Sequence, residues 1–394
     1  MLSRAYLPPS MPSPARQSDW DIFCTVIDNY GDIGVCWRLA RQLFAEHGFR
    51  VRLWVDKLTA FHRLCPGIDP HLSSQHVQGI EVRHWRTDFP DVVPGDVVIE
   101  AFACHLPEPF TAAMAELKPT PVWINLDYLS AEAWVSGCHA LPSPHSRLPL
   151  TKYFFFPGFS ETTGGLLRER NLQKDRQAYC ASPGQQDDFW ARLGQPPPSS
   201  EALVISLFAY ANPAIIDLLT IWTQGKEPVC CLAPITQTLS TIESFAGQTL
   251  QAGDVIHRGN LEICMLPFVT QPDYDRVLWS CDINFVRGED SFVRAQWAAK
   301  PMLWQIYPQD EDAHRVKLDA FLKLYCTDLP EATGEALRRL HLAWNGGDRI
   351  TPDVWAQWIA ALPDLRSHAE TWAINRSKQE DLCSSLVRFS RSKL

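Results

Sequence analysis

Two carboxylates lie four residues apart in the turn that follows the first apolar run of the chain. Residues 22–27 predict a buried strand, and Asp28, Gly31, Asp32 and Gly34 follow before a helix is predicted from residue 35. In such a turn one carboxylate can act as a general base and the other can orient it, while the glycines let a ligand approach closely. The same residues could instead form a simple turn in which one aspartate caps the helix.

A second polar turn lies in the other half of the chain. It comes after residues 281–286 and contains, in order, Arg287, Gly288, Glu289, Asp290, Ser291 and Arg294. The hydroxyl of Ser291 and the free amides of the following helix would suit a diphosphate, and Arg287 and Arg294 could add positive charge. Glu289 and Asp290 would repel a diphosphate, so they would have to contact sugar hydroxyls, backbone amides or a cationic acceptor. A plain helix capped by Asp290 or Ser291 remains an alternative.

Aromatic and amide side chains follow two further predicted strands in the second half. Phe268 and Gln271 come after one of them, and they could hold a nucleobase between an aromatic face and an amide. Tyr307 comes directly after the last strand and could contact a ligand in the same region. Each aromatic side chain could equally belong to the hydrophobic core, where phenylalanine is more often found.

Short apolar runs alternate with helical periodicity, which predicts parallel sheets covered by helices, an α/β fold. The predicted strands are residues 22–27, 50–55, 80–84, 96–101 and 122–126 in the first half and 202–208, 228–233, 262–267, 281–286 and 301–306 in the second. Ligands bind beyond the carboxyl ends of parallel strands. We therefore expect two Rossmann-like domains that face a cleft and present these turns to it.

The chain should contain two domains, because 394 residues are about twice what one hydrophobic core usually supports. A charged stretch with three consecutive prolines predicts the linker between them. The predicted parts are a disordered leader at 1–18, a first domain at 19–184, the linker at 185–200, a second domain at 201–351 and C-terminal helices at 352–394 that could pack back on the first domain.

Composition excludes several classes of protein. A net charge of −9 argues against nucleic-acid binding, since phosphate backbones attract basic surfaces, and favours basic partners instead. The twelve cysteines have no paired spacing and the twelve histidines form no zinc-type cluster, which indicates core thiols of a reducing cytoplasm and no metal site. No run of about 18 apolar residues occurs, so we expect neither a membrane span nor export.

Several unusual segments, in the same order along the chain, resemble one known family. They are residues 28–38, 101–104, 128–132, 152–154, 158–160 and 287–296. The family consists of the arginine rhamnosyltransferases that modify elongation factor P in some bacteria. The similarity extends from about Trp20 to the end of the chain, so it leaves only the predicted leader uncovered.

The resemblance implies an inverting glycosyltransferase of GT-B architecture. Such an enzyme would move L-rhamnose from dTDP-β-L-rhamnose to an arginine of elongation factor P, with no metal ion and no other cofactor. The first domain would then face the acceptor, and the second would bind the nucleotide sugar. A cytoplasmic enzyme with no nucleic-acid or membrane partner is also implied.

The resemblance assigns roles by position. Asp32 corresponds to the general base, Asp28 to its acidic neighbour and Glu289 to a second carboxylate needed for activity. The remaining matches are donor contacts, with Asp290 and Ser291 at the diphosphate and sugar, Phe268 and Gln271 at the thymine, Tyr307 on the phosphate side, and Phe208 and Tyr210 elsewhere in the pocket.

An arginine acceptor needs help from carboxylates, because its guanidinium keeps its proton up to a pKa above ~12. Asp32 is the predicted proton acceptor, and Asp28 and Glu289 would hold and desolvate the cation. Helix amides and Arg287 would stabilise the departing diphosphate. Two alternatives stay open, namely a transferase with another nucleotide sugar or a small acceptor, and a non-enzymatic nucleotide-binding protein whose acidic turns only cap helices.

Overall fold

The structure, a computed structural model, describes residues 18–28, 30–308, 313–346 and 348–394. The predicted leader, apart from Ser18, lies outside the described residues. The described chain forms two mostly parallel sheets with helices packed on them, which confirms the predicted α/β class.

The first sheet has eight strands in the order β3-β4-β2-β1-β5-β6-β8-β7. They are β1 (Asp19–Cys24), β2 (Arg50–Val55), β3 (Ser74–Val77), β4 (Ile80–His84), β5 (Val97–Ala101), β6 (Val122–Leu126), β7 (Pro142–Pro144) and β8 (Thr151–Phe155). The six inner strands pair in parallel, whereas β3 and β7 are antiparallel edge strands.

The second sheet has six strands in the order β11-β12-β10-β9-β13-β14. They are β9 (Leu203–Leu207), β10 (Val229–Pro234), β11 (Val255–Arg258), β12 (Leu261–Leu266), β13 (Ile283–Arg287) and β14 (Met302–Gln305). Only β11, at one edge, is antiparallel to its neighbour among these strands.

Helices connect the strands and cover the sheets. In the first half they are α1 (Gly31–His47), α2 (Leu58–Leu64), α3 (Glu108–Glu116), α4 (Trp134–Cys138), α5 (Leu172–Cys180) and α6 (Pro183–Arg192). In the second half they are α7 (Ala214–Gln224), α8 (Leu239–Ala246), α9 (Gln271–Ser280), α10 (Asp290–Ala298), α11 (Ala313–Tyr325), α12 (Glu331–Trp344), α13 (Pro352–Ala360), α14 (Leu362–Ser377) and α15 (Leu382–Arg391). No helix in the described ranges has the length and apolar character needed to span a bilayer.

All ten predicted strands are present, with ends that differ from the prediction by a few residues at most. The inner strands β5 and β6 are buried along their whole length because helices cover both faces of a parallel sheet, and this is why they read as continuous apolar runs. The inner strand β8 and the edge strands β3, β7 and β11 were not predicted. In β8 only the last residue, Phe155, is buried. The three edge strands are short, they carry many exposed side chains and they lack a continuous apolar run.

Two local predictions were wrong. The first helix begins at Gly31, because the amide of Gly31 donates to the carbonyl of Asp28 and the amide of Gly34 donates to the carbonyl of Tyr30. Residues 31–34, which were predicted to lie in the turn, are therefore helical. The predicted linker begins within α6, where Ser182 caps the helix and Pro183 occupies its first turn, a position that suits proline.

The C-terminal helices run from the second sheet to the first. Trp372 of α14 packs in the core of the second sheet and donates from its indole to Gln296 at 2.9 Å. Further along, Leu382, Leu386 and Val387 of α15 lie in the core that covers the first sheet. The end of the chain thus ties the two lobes together.

A buried cluster of charges also joins the two lobes. The guanidinium of Arg38, on α1, contacts Asp275 of α9 at 3.1 Å and Asp290 of α10 at 2.9 Å. Arg294, on α10, contacts the same Asp275 at 2.7 Å and Glu169 of the first half, and both arginine side chains are 2% exposed. Burial alone would lower the pKa of Arg38, but Asp275 and Asp290 raise it above its ordinary value. Arg38 is therefore charged, and its charge is balanced across the domain junction.

Replacing Arg38 by Met should destabilise the protein by about 3–5 kcal/mol, because the buried carboxylates would keep their desolvation cost and lose a partner. Denaturant unfolding measures the change. The matched control is Arg50→Met, which breaks an ion pair with Asp19 whose arginine is 62% exposed and should cost at most about 1 kcal/mol. Equal effects of the two substitutions would contradict the importance of the buried cluster.

Candidate functional site

The turn after β1 holds Asp32 in a fixed position. One carboxylate oxygen of Asp32 accepts hydrogen bonds from the amides of Ile27 at 2.8 Å and Asp28 at 2.9 Å, both in the preceding turn. Neither aspartate caps α1, whose first residues receive no side-chain cap. The simple capping alternative therefore does not describe this turn.

The other carboxylate oxygen of Asp32 accepts a hydrogen bond from the hydroxyl of Tyr128 at 3.3 Å. The ring of Tyr128 stacks on Phe102 with centroids 4.6 Å apart, and the amine of Lys317 lies 5.5 Å from the centroid of the Tyr128 ring. Burial raises the pKa of Asp32, against the lowering effect of the two backbone hydrogen bonds. Asp32 is thus a preorganised carboxylate with increased basicity.

Asp28 reaches across to the second lobe. Its carboxylate accepts a hydrogen bond of 2.6 Å from the hydroxyl of Tyr210. Burial raises the pKa of Asp28, and the Tyr210 hydrogen bond and the charge of Arg287 offset this only partly. A Cβ on Gly288 would lie 2.5 Å from the Asp28 carboxylate, and the φ of Gly288 is +59°, so only glycine permits this approach.

Glu289 comes from the turn after β13 and faces the first lobe. Its carboxylate accepts a hydrogen bond of 2.9 Å from the amide of Leu129, the third residue after β6. Burial raises the pKa of Glu289 to about 8, while that hydrogen bond and Lys317 act to lower it and Asp32 acts to raise it. Burial therefore favours the protonated form of Glu289.

The three carboxylates share one cavity of about 300 Å³, here called the carboxylate cavity. Most of its lining residues lie at the carboxyl ends of five strands of both sheets or just beyond them, and Lys317 of α11 adds to the wall. The lining residues include Asp28, Gly31, Asp32, Phe102, Tyr128, Gly288, Glu289, Trp304, Tyr307 and Lys317. The two acidic turns predicted from the sequence thus meet across a single cleft.

A second cavity adjoins the first and shares Asp28 and Gly31 with it. We call it the aromatic cavity. The structure brings together there most of the predicted donor contacts, namely Phe208, Phe268, Gln271, Arg287, Asp290 and Ser291. Tyr210 lies between the two cavities, because it is bonded to Asp28 and its ring contacts Tyr307 with centroids 5.6 Å apart.

Arg287 supplies positive charge to this cleft. Its guanidinium lies 4.6 Å from the ring centroid of Phe208 and 4.5 Å from that of Tyr210, and it donates to Gln237 at 3.1 Å. Among the described residues, no ion pair joins Arg287 to a carboxylate. Arg294 differs from the prediction, since it is committed to the buried cluster with Asp275 and is not available to a ligand.

Three predicted donor contacts have side chains that already have partners. The amide nitrogen of Gln271 donates to the carbonyl of Gly34 at 2.9 Å and to Asp290 at 3.3 Å. Asp290 also accepts from Arg38, and the hydroxyl of Ser291 bonds to the backbone of Arg287. Neither Asp290 nor Ser291 caps α10. The assignment of these three residues to donor binding remains a prediction. In the structure, Gln271 and Asp290 make contacts between the two lobes, and Ser291 stabilises the turn after β13.

Sequence reasoning missed several residues that line the carboxylate cavity, among them Phe102, Tyr128 and Lys317. Phe102 and Tyr128 follow strands β5 and β6, so the rule that ligands bind beyond strand ends could have indicated them. The positive φ of Phe102, +55°, has no sequence signal, since phenylalanine rarely adopts it. Lys317 lies within helix α11, where an amphipathic pattern predicts only a solvated lysine.

Potential metal ligands gather in one place within the ranges that the structure describes. They are Cys230, Glu262 and Cys264, and none of them lines the carboxylate or the aromatic cavity. The expectation that the reaction needs no metal stays a prediction.

The raised pKa of Glu289 makes the unliganded protein less stable as pH rises from about 4.5 to about 8. In this window the folded state binds more protons than the unfolded state, so unfolding becomes easier with increasing pH, with a slope of at most about 1.4 kcal/mol per pH unit. Thermal melts from pH 5 to 9 should show a flatter dependence for Glu289→Gln than for the wild type. Substituting the exposed Glu335 should leave the wild-type profile unchanged. Parallel profiles for wild type and Glu289→Gln would contradict the shift.

Comparison with known proteins agrees with this geometry. The family model for elongation-factor P (EF-P) rhamnosyltransferase EarP matches residues 20–391. A protein-arginine rhamnosyltransferase of Pseudomonas aeruginosa is 51% identical over 373 residues, which cover 94% of this chain and 98% of that protein. A protein of the same name from Neisseria meningitidis is 41% identical over 89% of each chain.

A solved structure described as the structural basis for EarP-mediated arginine glycosylation of translation elongation factor EF-P is also similar. It superposes with a TM-score of 0.70 at 36% identity and covers 96% of this chain and 100% of that one. Two α/β lobes facing a cleft are the GT-B architecture, as the sequence implied. The chain belongs to the EarP family of protein-arginine rhamnosyltransferases, and it is a glycosyltransferase.

Proposed function

We propose that this enzyme transfers L-rhamnose from dTDP-β-L-rhamnose to an arginine side chain of elongation factor P, with inversion at the anomeric carbon and without a metal ion. The observation that carries the proposal is the carboxylate cavity, in which Asp28, Asp32 and Glu289 from two lobes surround one space. The family to which the chain belongs supports the same acceptor.

The carboxylate cavity suits a guanidinium. Three carboxyl groups with raised pKa values crowd one space, and a cation entering among them would favour their ionised forms. Binding of the arginine would therefore release a proton from Glu289, and the resulting carboxylate would hold the cation. The attraction between the cation and the carboxylates would thereby offset part of the cost of burying them.

Asp32 is the best placed general base. Two backbone amides fix one of its carboxylate oxygens, so the other oxygen, next to Tyr128, remains to accept a proton from the acceptor. Its raised pKa makes it a stronger base than an ordinary aspartate. Asp28, held by Tyr210, would orient the guanidinium without taking its proton.

The aromatic cavity suits the nucleotide of the donor. Phe268 is half-buried, so its ring can cover a thymine face. Arg287 and the first turn of α10 would hold the diphosphate and stabilise it as it leaves, which is the charge that a metal ion would otherwise supply. On this basis we expect added Mg²⁺ to leave the rate of transfer unchanged.

The arrangement of the two cavities supports inversion. They adjoin at Asp28 and Gly31, so a sugar at this junction would have the acceptor carboxylates on one side and the diphosphate on the other. Direct attack from the side opposite the leaving group inverts the anomeric carbon. Because elongation factor P is a translation factor, the proposed site of action is the cytoplasm.

Mass spectrometry of elongation factor P incubated with enzyme and dTDP-β-L-rhamnose tests the function. We expect a gain equal to one deoxyhexose residue on an arginine. Asp32→Asn should abolish this gain while donor affinity stays within a few-fold, and Asp88→Asn, at an exposed position, should behave like the wild type. Near-normal turnover by Asp32→Asn would refute the base assignment. No adduct with the wild type would favour another acceptor.

Replacing Phe268 by Ala should weaken dTDP binding by roughly 1–3 kcal/mol, because a stacked base loses its aromatic partner. Isothermal titration against dTDP, UDP and GDP measures the effect and also tests the alternative of a different donor. Phe44→Ala is the matched control, since Phe44 is partly exposed in a separate groove. Unchanged dTDP affinity in Phe268→Ala would return this ring to a purely structural role.

A further inference from the structure

A group of metal-ligand side chains lies across three neighbouring strands of the second sheet. In the strand register, Cys230 of β10 is opposite Glu262 of β12, and Glu262 is opposite His257 of β11. Cys264 lies two residues beyond Glu262 and therefore on the same face of the sheet. Four side chains of the types that bind zinc thus share one face over three strands.

The distances fit one shared ion. The Sγ atoms of Cys230 and Cys264 are 3.9 Å apart, and the sulfur of Cys264 is 3.6 Å from a carboxylate oxygen of Glu262. Two thiolates bound to tetrahedral zinc at about 2.3 Å are separated by about 3.8 Å. The ligand atoms of Cys230, Glu262 and Cys264 all lie within 4.8 Å of one another, and His257 stands outside this compact group. The Nδ1 of His257 is 3.5 Å from the other carboxylate oxygen of Glu262.

The same register disfavours a disulfide between these cysteines. Because Cys264 is opposite Leu232 and Cys230 is opposite Glu262, the two α-carbons are offset by two residues across neighbouring strands. Standard strand spacings then separate them by roughly 8 Å, beyond the span that a disulfide normally bridges. The two sulfur atoms are close, but the positions of the α-carbons do not suit a disulfide bond.

These four side chains become more exposed toward the edge of the sheet. Both cysteines are buried, whereas the Glu262 side chain is 35% exposed and that of His257 is 70% exposed. An ion can therefore enter past the exposed edge strand and end on the buried thiols. The site lies near the amino-terminal ends of β10 and β12, roughly 13 Å along the strand from Pro234, which lines the aromatic cavity.

We propose that Cys230, Cys264, Glu262 and His257 bind one thiophilic divalent cation, with zinc as the expected metal. Two thiolates and a carboxylate supply three ligands, and the exposed side chain of His257 would turn inward to complete a tetrahedral set. The ion would then join β10, β12 and the edge strand β11. Its role is structural and separate from the reaction in the cleft. Binding to the folded state alone stabilises this lobe by mass action.

The test uses the full chain, reduced and freed of metal with a chelator, and titrates it with Co²⁺ and then Zn²⁺. We expect one equivalent of Co²⁺ to give thiolate charge-transfer and tetrahedral ligand-field absorption, Zn²⁺ to displace it, and Zn²⁺ to raise the melting temperature. Cys264→Ala should abolish the absorption. Cys231→Ala is the control, because Cys231 is equally buried on the neighbouring strand position but points to the opposite face.

The substitution His257→Ala guards against misfolding, because His257 is on the surface. It should weaken metal affinity at least about tenfold with no loss of rhamnosyl transfer. Absence of metal-dependent absorption in the wild type would overturn the proposal. So would equal absorption in wild type and Cys264→Ala, since the thiolates would then come from elsewhere in the chain.

Discussion

A buried guanidinium at the domain junction sets the geometry of the whole cleft. Arg38 lies six residues after Asp32 on α1 and contacts Asp290, the neighbour of Glu289. The contact that joins the lobes therefore also fixes the spacing between the two acidic turns. Burying these charges is unfavourable unless every partner is present, so the cluster specifies one relative position of the lobes more than it adds stability.

The cleft brings together three carboxyl groups whose ionised forms are disfavoured by desolvation. Desolvation raises the pKa values of Asp28, Asp32 and Glu289, and two tyrosine hydroxyls and several backbone amides hold these carboxyl groups in place. Burying these groups costs stability, and the proposed cationic acceptor would offset part of that cost. Such a trade of stability for function is expected where a site must stabilise a charged group away from water. The proposed reaction depends on these raised pKa values.

Much of the architecture could be predicted from the sequence. Most inner strands were predicted because burial on both faces leaves a continuous apolar run, as in β5 and β6. The inner strand β8 was missed, and only its last residue is buried. The turns at Asp28 and Glu289 were predicted to be functional because ligands bind beyond the carboxyl ends of parallel strands. The start of α1 at Gly31 and the helix α6 depended on local hydrogen bonds that compete with turn propensities, and a single sequence does not reveal which of them wins.

The sequence alone determined the fold class, the two acidic turns and their order, because periodicity and residue type are local properties. Only the tertiary structure decided which side chains act in the cleft and which hold it together. The sequence predicted the same role for Arg287 and Arg294. In the structure Arg287 lines the aromatic cavity, whereas Arg294 forms a buried ion pair with Asp275. From the sequence, Cys230 and Cys264 were likewise predicted to be core thiols. Only the strand register shows that their sulfur atoms are 3.9 Å apart. Contacts between residues distant in the chain depend on how the lobes and strands pack, and no local pattern encodes that packing.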